Sequence, residues 1–203
     1  MFVQVIQGKV SDPDRARQRL ESWVTELGPS ATGWLGSTGG VTDDGTMVLL
    51  ARFESEEVAR ANSDRAEQGE WWAETEKVFD GEVTFKDSSM ARVDTPGDPD
   101  RAGFVQIMQG QVSDPERASQ LMFEDDVDLA SYRPDILGRL LAGHEDGAWT
   151  MAIYFTSEEE ARAGEQKEAP PEMEERMNQM QSLAVGGPPS FFDLRDPWLH
   201  SPA

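Results

Sequence analysis

Cysteine is absent from the 203 residues, which excludes disulfides, thiolate metal sites and cysteine nucleophiles. Positive charge is scarce: 18 Lys and Arg stand against 39 Asp and Glu, for a formal net charge of −21. Such a field repels nucleic-acid phosphates and anionic membrane surfaces and favours solubility. No apolar run approaches the ~20 residues that a membrane helix needs. The start of the chain enters a strand pattern at Phe2, with no basic segment leading into an apolar core, so no signal peptide is expected. The expectation is a cytoplasmic protein without nucleic-acid or membrane partners. Phosphate-binding glycine loops, a nucleophile elbow and calcium-loop spacing are missing too. The two histidines, His144 and His200, stand too far apart in the pattern to complete one metal site. No metal or cofactor is expected.

What the chain does have is a repeat. Phe2 to Ala16 returns 102 positions later as Phe104 to Ala118, with eleven of fifteen positions identical. Unrelated stretches of ordinary composition would share roughly one. Repeats decide architecture before anything else. The reading is a first copy over 1–87, a linker over 88–103, a second copy over 104–195 and a tail over 196–203. Six Trp and nine Phe supply large core side chains despite the low apolar content.

Each copy has the same order of elements. Phe2, Ile6 and Val10 alternate with Val3 and Val5, the pattern of a strand covered on both faces. Asp12 and Pro13 open a helix with Ala16, Leu20, Trp23, Val24 and Leu27 on one stripe, and Gly28 with Pro29 stops it. Strands follow over Gly33 to Val41 and Thr46 to Phe53, joined by hairpin chemistry at Asp43, Asp44 and Gly45. Ser55 caps a second helix, with a break predicted between Asn62 and Gly69 and a resumption over Trp71 to Phe79. Glu82 to Lys86 closes the first copy. The second copy follows without a gap for about 60 positions, with a capping box at Ser157 and Glu160. A helix then restarts at Glu172 after Pro170 and Pro171, with Met173, Met177 and Met180 on one face. Ser190 to Leu194 is the expected final strand.

Strand, helix, strand, strand, helix, strand is the ferredoxin-like plan, so the fold class is α+β. A four-stranded sheet with helices on one face leaves the other face to bury, and a second copy in the same chain is the natural cover. Two such repeats would form an intrachain dimeric α/β barrel, as a monomeric pseudo-dimer or a homodimer. The segments Gly36 to Val41, Ala51 to Glu57 and Trp71 to Glu74 are similar to the antibiotic biosynthesis monooxygenase (ABM) family of the dimeric α/β-barrel superfamily. The resemblance covers both copies. It implies a pocket between sheet and helices, for a small apolar or aromatic molecule. The activities it implies are cofactor-independent oxygenation of aromatic substrates, haem degradation or isomerisation. Haem-degrading members carry an Asn where this chain has Gln4 and a His beyond the Trp; the first copy has no His.

Gln4 and Gln106 are amides set in apolar strands, as are Gln7 and Gln109, and buried amides must find partners. Arg52 on the third strand suits a developing enolate or phenolate, and its counterpart is Tyr154. Trp71 is the expected pocket wall. Trp72 reads as core with Thr75 and Phe79, or as a ligand contact, and Asn62 as a cap or a ligand contact. Asp125 and Asp126 replace Trp23 and Val24 in the second copy. His144 lies in a hairpin connection and reads as a solvated turn residue, with general-base or ligand-binding roles as the sharper possibility. The catalytic candidates are therefore Gln4, Arg52 and Trp71; the ligand-binding candidates are Asn62, Trp72, Gln106, Tyr154 and His144. Two functions compete: a cofactor-free oxygenase or isomerase of a small aromatic or enolisable substrate, and a module that binds a small ligand or a protein without chemistry.

Overall fold

The computed structural model describes residues 1–123 and 129–202; Asp125 and Asp126 lie outside the described residues. The chain divides into two units, residues 1–91 with 194–203 and residues 92–193. The first copy contains β1 (Phe2–Lys9), α1 (Pro13–Glu26), β2 (Trp34–Val41), β3 (Thr46–Phe53), α2 (Glu56–Ser63), α3 (Ala66–Thr75) and β4 (Thr84–Ser88). After β5 (Met90–Asp94), the second copy contains β6 (Phe104–Val112), α4 (Pro115–Met122), α5 (Leu129–Tyr132), β7 (Ile136–Gly143), β8 (Ala148–Phe155), α6 (Glu158–Glu165), α7 (Pro171–Leu183) and β9 (Ala184–Leu194). A short β10 (Trp198–His200) follows.

The sheets run β10-β2-β3-β1-β4 and β5-β7-β8-β6-β9. Within them β2-β3-β1-β4 and β7-β8-β6-β9 are the ferredoxin-like order, built twice, with antiparallel pairing of β1 to β3 and β4 and of β6 to β8. Helix starts follow local chemistry. Asp12 accepts the Arg15 N–H at 2.9 Å and Asp114 accepts that of Arg117 at 2.9 Å, each satisfying an orphan donor of the first turn. Ser55 and Ser157 do the same for Val58 and Glu160. Both faces of β1 are buried: Phe2 and Ile6 pack with side chains of α1, while Val3 and Val5 on the other face are at most 2% exposed.

A register shift interrupts the pairing between Trp34 and Gly36, and again between Ile136 and Gly138. Gly36 has φ +123°, and a Cβ there would lie 2.5 Å from an Arg52 guanidinium nitrogen. The bulge therefore needs a glycine.

Two strands lie where none was expected. The segment read as a linker over 88–103 contains β5, at the edge of the second sheet, and the segment read as a tail contains β10, at the edge of the first. In α7 the methionine stripe is present, yet no residue of the helix is buried. Among the described residues no helix is long and apolar enough to cross a membrane.

The first hairpin has a pH dependence of its own. The Asp44 carboxylate accepts from Lys9 Nζ at 2.8 Å and Thr46 Oγ1 at 2.8 Å, and also from Thr42. Lys9 above all, then the two hydroxyls, hold it well below the usual carboxylate range. A folded pKa below the unfolded one contributes stability that is present above the unfolded value, near 4, and is lost as pH falls through the folded value. The carboxylate is exposed, so the expected effect is small. Asp44→Asn should flatten the acid limb of the stability curve below pH ~4 while changing stability at neutral pH by less than ~1 kcal/mol. Urea denaturation at pH 3 and pH 7 measures both.

Candidate functional site

In the first unit, alternation along β1 puts Phe2, Gln4 and Ile6 on the face packed against α1. Register places Ala51 of β3 opposite Gln4, and Ser37 of β2 opposite Ala51, so the three side chains share that face. α1 brings Trp23. The break between α2 and α3 brings Asn62 and Gln68, and α3 brings Trp71. Together with Trp34 and Phe53 they enclose a cavity of about 70 Å³.

Its walls are fixed from behind. Trp23 and Trp34 meet edge to face, with ring centroids 5.0 Å apart. Trp23 Nε1 donates to Gln68 Oε1 at 2.6 Å. Arg65 Nη1 donates to Asn62 Oδ1 at 2.9 Å, and Asn62 is only 6% exposed. Trp71 Nε1 donates to the Arg19 carbonyl at 3.1 Å and to Ser22 Oγ at 3.2 Å, while Arg19 lies over its ring at 5.6 Å. Trp71 thus presents ring surface rather than a free donor. Gln4 Nε2 donates to Asp87 Oδ1 on β4 at 2.9 Å, which orients the amide.

One polar group in the wall stands alone. Ser37 is 3% exposed, and its Oγ has no hydrogen-bond partner among the described residues. A buried hydroxyl without a partner is costly, and a bound molecule would remove that cost. Titratable side chains are missing from the lining among the described residues. Among those residues no cluster of three His, Asp or Glu could hold a metal.

The structure brings Gln4, Asn62 and Trp71 together and leaves the other candidates elsewhere. Arg52 pairs with Val3, so it points to the opposite face of the sheet from Gln4, where its Nε is buried without a partner among the described residues. Trp72 turns from the cavity to pack against Phe79 and Phe85, at centroid distances of 6.2 and 5.2 Å. Gln106 repeats the Gln4 arrangement in the second unit, donating to Asp193 at 2.9 Å. Tyr154 is 4% exposed and stands opposite Val105. His144 is not solvated as expected: it is 7% exposed and its Nε2 is 3.0 Å from Thr150 Oγ1. That hydroxyl replaces water as the imidazole's partner, which lets the ring be buried.

Sequence reasoning passed over Ser37, Gln68, Trp23 and Trp34. Their signal is the small-residue run Gly36 to Gly40: a strand without bulky side chains under a helix leaves space that neighbouring rings must wall.

No protein-family model matches the chain, and no curated protein matches its sequence. Solved structures do match. Two proteins described as "putative monooxygenase" align over 98% of this chain. The one from Lactobacillus acidophilus NCFM does so with TM-score 0.76, 12% identity and 95% of its own length covered. The one from Fusobacterium nucleatum does so with TM-score 0.74, 11% identity and 94% covered. The chain shares the fold of these proteins along nearly its whole length. An anthrone oxidase-like protein aligns at TM-score 0.68 and 12% identity, over 98% of this chain and 93% of its own. At these identities the likeness is one of fold; activity rests on the site.

Proposed function

We propose that the chain is a cofactor-independent monooxygenase of a small aromatic or enolisable substrate, held in the first unit's cavity. The observation that carries this reading is the partnerless Ser37 hydroxyl in a pocket walled by Trp23, Trp34 and Trp71. The overall reaction is oxidation of a substrate CH₂ to C=O by O₂, with the second oxygen atom leaving as water. Carbanion or enolate character at that carbon is what oxygen attacks. Ser37 Oγ and the second N–H of the Gln4 amide donate to the oxyanion, and such fixed donors act strongly in a dry site. Because no carboxylate, imidazole or amine lines the cavity among the described residues, the substrate itself must be acidic enough to ionise near neutral pH. The rate should then rise with pH through the substrate's own pKa.

The cavity is smaller than the ~150 Å³ that admits a benzene ring, so a ring enters only as Trp71 or Asn62 gives way. A one-ring carbon acid that is ionised at neutral pH, 1,3-cyclohexanedione, is a suitable probe, with oxygen uptake as the readout. Ser37→Ala and Gln4→Ala should each slow uptake about tenfold or more; Ser37→Ala, which removes a partnerless buried hydroxyl, should not lower the thermal transition. Uptake that is the same in both variants removes the assignment.

The lack of an acid or base in the lining favours one competing reading, a module that binds a small molecule without chemistry. In that case the wild-type protein shows no oxygen uptake, while a thermal shift with the same probe still depends on Ser37 and Gln4.

A further inference from the structure

We infer that His200, on the edge strand β10, accepts the substrate's proton through Ser37, which rests on the reading of the first unit's cavity as a substrate site. It supplies what the lining lacks, a base.

Register puts the imidazole there. β10 pairs antiparallel with β2, and His200 is the residue directly opposite Ser37. Directly opposed side chains share one face of the sheet, with Cβ atoms about 4.5–5.5 Å apart. Two contacts fix which face. Trp198 packs in the cluster of Leu20 from α1 and Met47, and residues two apart in a strand point the same way. A Cβ on Gly39, the partner of Trp198, would meet Leu20 and Leu49. His200 therefore stands on the helix side of the sheet, half-buried and one strand out from Ser37.

The cavity has a proton to place. A substrate bound as its neutral enol or phenol must lose the O–H proton before its carbon can react with oxygen, and no titratable side chain lines the cavity among the described residues. Ser37 carries the proton across. Its Oγ takes the substrate's proton and passes its own to an imidazole nitrogen, while the electron pair of the broken O–H bond stays on the substrate. The products are a substrate anion and an imidazolium, with no change in total charge. The hydroxyl remade on Ser37 then donates to the anion. A serine whose Oγ is buried without a partner among the described residues suits this task, since a hydroxyl tied to a carbonyl would be a poor relay.

Charge favours the transfer. The chain carries a net charge of −21, and an anion in a cavity lined by no cation among the described residues needs a counter-charge nearby. The imidazolium supplies it one side chain away. Histidine ordinarily titrates near pH ~6.5, which matches a substrate that ionises near neutral pH. The groups around it act in both directions. β2 carries no titratable residue. α1 brings Arg17, bonded to Glu21 and to Asp196, and these two carboxylates favour a positive imidazole. Arg52 of β3 opposes one: its Nη2 and the His200 carbonyl both lie 2.5 Å from where a Gly36 Cβ would stand.

Proton NMR of the whole chain tests this, with 4-nitrophenol as probe, a one-ring phenol that ionises near neutral pH and is yellow only as its anion. The chain has two histidines, His144 and His200, so the ring signal missing from His200→Gln is that of His200. His144→Gln makes the same assignment by retention if His200→Gln does not fold. Slightly above neutral pH, the probe should move the His200 signal to the imidazolium position and turn yellow as it binds. In His200→Gln the colour of the bound probe should appear about one pH unit higher or more. Ser37→Ala should leave the His200 signal where it stands without the probe. A His200 signal that stays neutral while yellow probe is bound overturns the inference and leaves the oxygenase reading standing, as does an equal colour midpoint in His200→Gln. Failure of 4-nitrophenol to bind also overturns it, and oxygen uptake with 1,3-cyclohexanedione then decides the oxygenase reading separately. Protonation of His200 by the probe without any oxygen uptake removes the oxygenase reading and leaves His200 as the proton acceptor of a binding site.

Discussion

Phe104→Ala should lower the unfolding free energy by about 3–5 kcal/mol, the range for deleting a buried aromatic ring. Phe104 is wholly buried and stacks on Phe155 at a centroid distance of 5.8 Å. It shares a cluster with Ile136 and Ala161, and the Arg162 guanidinium lies 5.2 Å over its ring. Removing the ring leaves a void bounded by two strands and a helix, none of which can collapse without breaking the β6–β8 register. It also strips Arg162 of a cation–π partner, a smaller loss of about 0.5–1 kcal/mol. For a chain of this size, a transition lower by roughly 6–20 °C follows. Phe104→Leu keeps most of the volume and should cost about a third as much. Calorimetry of both variants is the check, and a shift under about 2 °C for the alanine would contradict the packing described here.

Much of this architecture was legible because its signals are local. Asp12 before Pro13, Ser55 before two glutamates, and Asp44 before Gly45 each act within four residues, and the repeat lets every such reading be made twice. The break between Asn62 and Gly69 was legible for the same reason. It falls at Asp64 and Arg65, between α2 and α3, and it turns Asn62 and Gln68 toward the cavity. The expected grouping of Gln4 with Arg52 depends instead on the register of β1 against β3, which are joined by no hairpin. Pairing Val3 with Arg52 puts the arginine on the other face, whereas a slip of one residue would have put it beside Gln4. The edge strands were hidden by the same physics. Met90 to Asp94 and Trp198 to His200 are short, flanked by Pro or Gly, and gain strand character only from a partner far away in sequence. Ser37 lies in a segment legible as a strand, but its small neighbours do not tell which face is left open until helices are seen above it.

The second large effect concerns the end of the chain. Trp198→Ala should destabilise the first unit by about 3–5 kcal/mol, as much as a mutation in the middle of β1, although the residue sits five positions before Ala203. Trp198 is 4% exposed and belongs to the cluster of Ile6, Leu20, Met47 and Phe79. β10 is only three residues long, pairing Trp198 with Gly39, Leu199 with Thr38 and His200 with Ser37. So short an edge strand cannot hold itself in place by backbone bonds alone. The indole is the anchor, and the Arg17–Asp196 pair at 2.7 Å is exposed enough to add less than ~1 kcal/mol. Deleting residues 195–203 should therefore cost about the same as Trp198→Ala, because the anchor is the common loss. Trp198→Phe should recover more than half of it. Equilibrium unfolding of the three variants separates the contributions. If the deletion proves far more damaging than Trp198→Ala, the backbone pairing of β10 carries the stability; if neither shifts the transition, the tail is not part of the first unit's core.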